Sequence, residues 1–226
     1  MKLLIRTKKL IINYILEMLF PSSCLNCGIK SEILCSNCIA LANRTEKQLD
    51  TNKNILAVFQ YHDPIIKKAI WDLKYHHFPR LGQRLGEILY EEFLEDISDL
   101  KAYTEGVPIL IIPVPISKNK NKKRGYNQAE KLARGFCKKV NKKVFLLKTN
   151  IIKKKKGPIP QARITNRLRR LKNIHNSFKI KNESLVKGKT IIIIDDVTTT
   201  GGTISEIMKI LKKAGAKKVI GLAVAH

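Results

Sequence analysis

Acidic side chains are scarce in this chain of 226 residues: 18 Asp and Glu stand against 44 Lys and Arg, a formal net charge of +26. The shortage is uneven, since residues 117 to 175 hold 21 Lys or Arg and the single acid Glu130. A field of that sign attracts polyanions such as pyrophosphate, single-stranded nucleic acid or an anionic lipid surface, with binding that weakens steeply in salt. The other reading is a solvated face in a Lys-rich composition, and for Lys153 to Lys156 the two stand level. Aromatic residues are also few, and the basic segment offers only Tyr126, Phe136 and Phe145, which argues against a base-stacking platform there. Trp71 is expected in the core or at a domain contact.

Long apolar runs are missing. No stretch of eighteen apolar residues exists, which excludes a simple membrane-spanning helix, and no small-residue cleavage site follows the basic, apolar start. In residues 1 to 20, Lys2, Arg6, Lys9, Asn13 and Glu17 recur at steps of three and four, leaving the apolar face of an amphipathic helix. That face is expected to pack on the protein itself, with peripheral membrane contact as the alternative, and the expected location is cytoplasmic. No internal repeat is present, and His62, His76, His77, His175 and His226 lack partners at metal-ligand spacing.

Cysteine is rare but concentrated. Four of the five fall in Cys24-x2-Cys27-x7-Cys35-x2-Cys38, a pair of knuckles whose spacing suits a closed, structural four-thiolate Zn2+ site. A disulfide pair is the alternative and needs an oxidising compartment. Cys137 stands alone in a helical pattern and reads as a buried apolar residue.

The densest signal is Lys189 to Thr203, KTIIIIDDVTTTGGT. Ile191 to Ile194 form an apolar run too short for a helix and without alternation, which suits a strand buried on both faces of a parallel sheet. Such strands deliver ligand residues at their carboxyl ends, here Asp195 and Asp196. Thr199, Thr200, Gly201, Gly202 and Thr203 then form a loop where glycine lets backbone N–H groups approach an anion. Thr203-x-x-Glu206 reads as a capping box for a helix running to Gly215, with its positive dipole end at the loop. An anion cradle beside two carboxylates suits a ligand that carries both a phosphate and hydroxyls or a metal. A ribose 5-phosphate is such a ligand.

This run resembles the signature with which type I phosphoribosyltransferases bind 5-phosphoribosyl 1-pyrophosphate (PRPP). The resemblance implies that Asp195 and Asp196 hold the ribose hydroxyls and the Mg2+ shell as catalytic acids, while Thr199 to Thr203 take the 5-phosphate. Many members carry an acid where Thr199 stands, which argues against base-assisted purine transfer here. LEMLFPSSCLNCG (16 to 28), PVP (113 to 115), RGYNQAEKLA (124 to 133), Gln161, Arg170-x-x-Asn173 and Phe178 are together similar to the ComF family of competence-associated proteins. The basic loop departs from that pattern around Gln161, where KKKKGPIPQARI replaces the more usual Arg and Thr.

The resemblance implies an α/β fold with a parallel sheet of the type I phosphoribosyltransferase kind, an N-terminal helix and a small four-cysteine zinc module. The expected division is an amphipathic helix (1 to 20), the zinc module (21 to 50), a helical hood and connecting region (51 to 100), and the phosphoribosyltransferase-like domain (101 to 226). Strands are expected at 55 to 61, 107 to 112, 144 to 147 and 219 to 224, and helices at 64 to 75, 81 to 94 and 128 to 139. Residues 116 to 125 read as a loop, and 151 to 176 as a long basic segment able to close over a ligand. Lys118, Arg124 and Arg170 are candidates to neutralise a leaving pyrophosphate, and Asn127, Gln128, Gln161 and Asn173 complete the family motif. Arg124 to Gln128 also reads as no more than a helix start with Asn127 as its cap. Two functions follow: transfer of a phosphoribosyl group to an unspecified acceptor in association with DNA uptake and transformation, or a non-catalytic PRPP- or nucleotide-sensing adaptor holding single-stranded DNA on its basic face.

Overall fold

In the computed structural model the described residues are 23–30, 32–45, 48–50, 54–76, 78–102, 104, 106–155 and 177–226. The expected helix at 1 to 20 lies outside them. The chain divides into two units, residues 1–42 and 43–226.

The smaller unit is organised by its cysteines. Gly28, at φ +75°, lets the chain turn back so that its N–H donates to the Cys24 carbonyl at 2.9 Å. An antiparallel bridge joins Ser23 to Lys30, and helix α1 (Ser36–Leu41) follows the third cysteine. Leu34, Ile39 and Ala42 are buried with Cys24, Cys35 and Cys38.

In residues 43–226 six strands form one sheet: β1 (Gln48–Asp50), β2 (Ile55–Phe59), β3 (Ile109–Pro113), β4 (Phe145–Leu147), β7 (Thr190–Val197) and β8 (Lys218–Ala225). Their order is β1-β2-β8-β7-β3-β4, with β1 antiparallel at one edge and the other five parallel. Strands β5 (Ile152–Lys154) and β6 (Phe178–Ile180) form a separate antiparallel pair. The helices are α2 (Pro64–Tyr75), α3 (Pro79–Glu92), α4 (Leu94–Ala102), α5 (Lys118–Arg124), α6 (Gln128–Lys139) and α7 (Gly202–Lys213).

Ile191 to Ile194 are each 0% exposed, as expected of a strand covered on both faces. Ile191 and Ile193 share a cluster with Ile204, Ile207, Met208 and Leu211 of α7. On the opposite side α6 packs against β7 and β3, and α3 packs on α6. The two helices touch backbone to backbone: a Cβ on Gly135 would stand 1.9 Å from the Gln83 carbonyl oxygen, and one on Gly86 1.9 Å from that of Leu132. In β8 a Cβ on Gly221 would meet Ile204 Cγ2 at 2.4 Å, so this glycine lets α7 settle onto the sheet.

Three local expectations are corrected. Residues 118–124 are helical, because Ser117 caps the segment by accepting from the Lys120 N–H and Gly125 ends it at φ +75°. The capping box at Thr203 is not formed: α7 begins two residues earlier, with Gly201 at φ +68° as its N-cap and no side-chain cap. Trp71 is no core residue, being 55% exposed.

Candidate active site

Strand β7 carries its apolar run directly into the acids, and the loop after β3 runs alongside it, with the Val114 N–H donating to the Ile194 carbonyl at 2.9 Å. Asp195 and Asp196 therefore reach the carboxyl edge of the sheet together. Each is oriented locally: Asp195 Oδ1 accepts from the Asp196 N–H at 2.9 Å, and Asp196 Oδ1 from the Val197 N–H at 2.8 Å. Burial first, and then the neighbouring Asp196 charge, push the Asp195 carboxyl up to about 8.

Both acids line a cleft with a volume of about 190 Å³. Its other walls are built from Lys74 of α2, the Pro115 to Ser117 loop, Lys120 and Arg124 of α5, Asn127 and Gln128 at the start of α6, Lys154 of β5, Phe178 of β6 and Thr203 of α7. Lys74 Nζ stands 3.2 Å from Asp196 Oδ2. Arg124 donates from Nη1 to Gln128 Oε1 at 3.0 Å, and its guanidinium lies 5.4 Å from the centre of the Tyr75 ring. Although much of Lys154 is exposed, desolvation against the cleft wall and the Lys120 charge lower its ammonium below the usual lysine range.

Asn127 occupies the N-cap position of α6 but caps nothing; its Nδ2 donates across the cleft wall to the Val114 carbonyl at 3.0 Å. Gln128 is 1% exposed and its Nε2 has no partner, as is also true of Asn127 Oδ1 and Ser205 Oγ. Buried polar atoms are normally satisfied, and the two orphans on the cleft wall, Asn127 Oδ1 and Gln128 Nε2, point to a ligand or solvent that completes them.

Beyond β7 the Thr198 N–H donates to Ala225 O at 2.9 Å, and Gly201 at φ +68° swings the chain into α7. Thr199 and Thr200 are exposed, Gly201 is buried, and Gly202 and Thr203 are half-buried at the first turn of a twelve-residue helix. Free N–H groups and the helix dipole make this an anion site in chemical terms.

In the smaller unit the Sγ atoms of Cys24, Cys27, Cys35 and Cys38 lie within 4.8 Å of one another, with Cys24–Cys38 and Cys27–Cys35 both at 3.7 Å. A Zn–S bond of about 2.3 Å in a tetrahedron gives S–S edges of about 3.8 Å, so the cluster has the dimensions of a Zn2+ site. Burial works against a thiolate at Cys24, but the N–H groups of Cys27, Cys35 and Asn26 outweigh it and bring this thiol down to about 6.

The cleft thus gathers Asp195, Asp196, Thr203, Arg124, Asn127 and Gln128 from the sequence candidates. Lys118 sits on the exposed face of α5 outside it, and Lys120, two residues on, lines it instead. Gln161, Arg170 and Asn173 lie outside the described residues. Lys74, Lys120 and Lys154 were not singled out individually by sequence; Lys74 sits one position from Leu73 on the inward stripe of α2, which was its only signal.

A parallel sheet with paired acids at the carboxyl end of a central strand, followed by a Thr/Gly loop that opens a helix, defines the phosphoribosyltransferase class of fold. The family described as Phosphoribosyl transferase domain matches residues 122–226. The chain is 35% identical to an adenine phosphoribosyltransferase of Mycoplasmopsis agalactiae, over 69% of this chain and 83% of that one. It is 28% identical to Competence protein F of Haemophilus influenzae, over 87% and 81%. DNA utilization protein YhgH of Escherichia coli O157:H7 is 26% identical, over 87% and 80%. The chain belongs to the phosphoribosyltransferase family, and its similarity to the two competence-type proteins runs over most of its length.

Proposed function

We propose that the cleft binds PRPP with Mg2+ and that the protein transfers the phosphoribosyl group to an acceptor during the handling of imported DNA. The observation that carries this reading is the convergence of Asp195, Asp196, Thr203, Arg124, Lys120 and the orphaned amide of Gln128 on one cleft. The α7 N-terminus takes the 5-phosphate, the acids face the ribose hydroxyls, and Lys120 and Arg124 lie where a pyrophosphate departs. Mg2+ suits the two carboxylates as a hard, oxygen-seeking ion and supplies charge neutralisation on the leaving group when bound.

In the transfer the bond from the ribose anomeric carbon to pyrophosphate oxygen breaks, and a bond from that carbon to the acceptor's nucleophilic atom forms. The acids stabilise positive charge that develops on the ring, while the basic side chains stabilise the departing anion. The association with DNA uptake is drawn from the names of the two ComF-type relatives. Titration calorimetry with PRPP and Mg2+ tests the pocket: micromolar binding, about −8 kcal/mol, is expected for the native chain and none for Asp195→Asn/Asp196→Asn. No binding by folded, zinc-loaded protein overturns the reading.

A second reading has its own observation. Helix α5 has no buried residue and carries Lys118, Lys120, Lys122, Lys123 and Arg124 without an acid. Such a helix is suited to a nucleic-acid backbone, in an adaptor that senses PRPP and holds single-stranded DNA. DNA binding that survives loss of PRPP binding in Asp195→Asn/Asp196→Asn supports two separate sites.

A further inference from the structure

Helix α2 is tied to the site through successive residues. Its Leu73 carbonyl accepts from the Tyr126 hydroxyl at 2.6 Å, and the next residue, Lys74, reaches Asp196. The two side chains of that ion pair are 19% and 14% exposed, so the pair is largely shielded from solvent. Shielding lengthens the reach of each charge and reduces the screening of surface pairs by salt. Asp196 Oδ1 accepts from the Val197 N–H, and Oδ2, the oxygen without that backbone donor, is the one that faces Lys74.

We infer that Lys74 is the resident counter-ion of Asp196 and competes with a divalent cation for that carboxylate, so that the ligand-free protein does not take the metal alone. An ammonium at 3.2 Å covers the approach to Oδ2. A Mg2+ or Mn2+ ion bonds carboxylate oxygen at about 2.1 Å and repels a cation on the same face, so one must leave before the other arrives. Lys74 is free to leave only when another anion receives it. Lys120, Arg124 and Lys154 already line the walls, and the acids are the anionic side chains there, so a polyphosphate entering the cleft is the group that draws Lys74 away. Metal and phosphate ligand are thereby coupled through one side chain of α2. This inference rests on the phosphoribosyl reading only in assigning the metal to the two acids.

Mn2+ added to zinc-loaded protein without any phosphate ligand, with free Mn2+ followed by electron paramagnetic resonance, tests it. The native chain is expected to leave Mn2+ free up to about 1 mM, and Lys74→Met to bind it at least roughly tenfold more tightly. Lys74→Gln should behave as Lys74→Met does, which guards against a folding defect in one variant, and Lys74→Met/Asp196→Asn should lose the gain. Equal Mn2+ affinity in the native chain and both Lys74 variants overturns the inference, as does tight Mn2+ binding by the native chain alone. Because no phosphate ligand is present, failure of PRPP binding leaves this result standing, and failure here leaves the PRPP result standing.

Discussion

The His226 imidazole donates from Nε2 to the carbonyl of Thr199 at 2.7 Å, so the ring must carry its proton on that nitrogen. His226 is itself fixed by backbone bonds to Phe59 and Tyr61 at the end of β2. The loop that starts at Thr199 is thus tethered across the sheet edge. His226→Ala should weaken binding of a ribose 5-phosphate ligand by about 1 kcal/mol, roughly fivefold, with little loss of folding stability. Calorimetry beside thermal melting checks this, and an unchanged affinity would show the tether to be dispensable.

Gly135→Ala should be among the most destabilising single-methyl changes in the chain, because the methyl group has only the Gln83 carbonyl to meet. A loss of about 1–3 kcal/mol is expected from forced separation of α3 and α6. Gly106→Ala removes a glycine with open space around it and tests the positive φ of +81° alone, so it should cost less. Urea midpoints of the two variants settle the order.

Much of this frame could be read from residue order. Helices at 64–75 and 128–139 end where periodicity placed them, and Ile191 to Ile194 fill the sheet as an unbroken apolar run should. Helix α5 escaped because its seven residues, KNKNKKR, hold no apolar residue and so no period to detect. At the site, Asp195 and Asp196 were legible because strand, acids and loop are contiguous. Lys74 was not, since it comes from an element more than a hundred positions earlier and only the sheet brings it to Asp196. The pair β5 and β6 was hidden for a similar reason, as its partners flank the whole basic segment.

Asp195 makes the ligand-free protein sensitive to pH. Its folded value of about 8 lies above the ordinary 3.8, so its stabilising share is complete below about pH 4 and is lost as pH rises towards and through 8. Asp195→Asn should therefore gain stability over the native chain as pH increases through this range. Urea unfolding between about pH 5 and pH 8.5 reads the difference, and parallel curves for the two proteins would count against it.

Removal of zinc should expose thiols in a fixed number. With metal bound, Cys24, Cys27, Cys35 and Cys38 are protected, and a strong chelator should make them accessible to a thiol reagent, with Cys24, whose thiol lies lowest at about 6, reacting first. Cys137 should react far more slowly, because burial pushes its thiol up to about 11 despite the nearby Arg134 and Lys142 charges. Counting fast thiols before and after chelation, with metal analysis, checks both statements.

Lys118, Lys122 and Lys123 offer a test of the basic helix that leaves the cleft intact. If α5 contacts single-stranded DNA, changing all three to Ala should flatten the slope of log affinity against log salt by roughly 2. An unchanged slope removes α5 from the DNA surface.

Strand β8 lies between β2 and β7, so the middle of the sheet is filled by a segment that leaves the ribosome after all its neighbours. Until it arrives, β2 and β7 each present an unsatisfied edge, and the body of residues 43–226 has no continuous sheet. Assembly therefore depends on pairing between distant parts of the chain, a slow class of folding step that leaves strand edges open to aggregation. Because β8 also brings His226 to Thr199, the loop before α7 acquires its tether in the same event. A nascent chain thus carries the acids of β7 on a sheet that is not yet continuous.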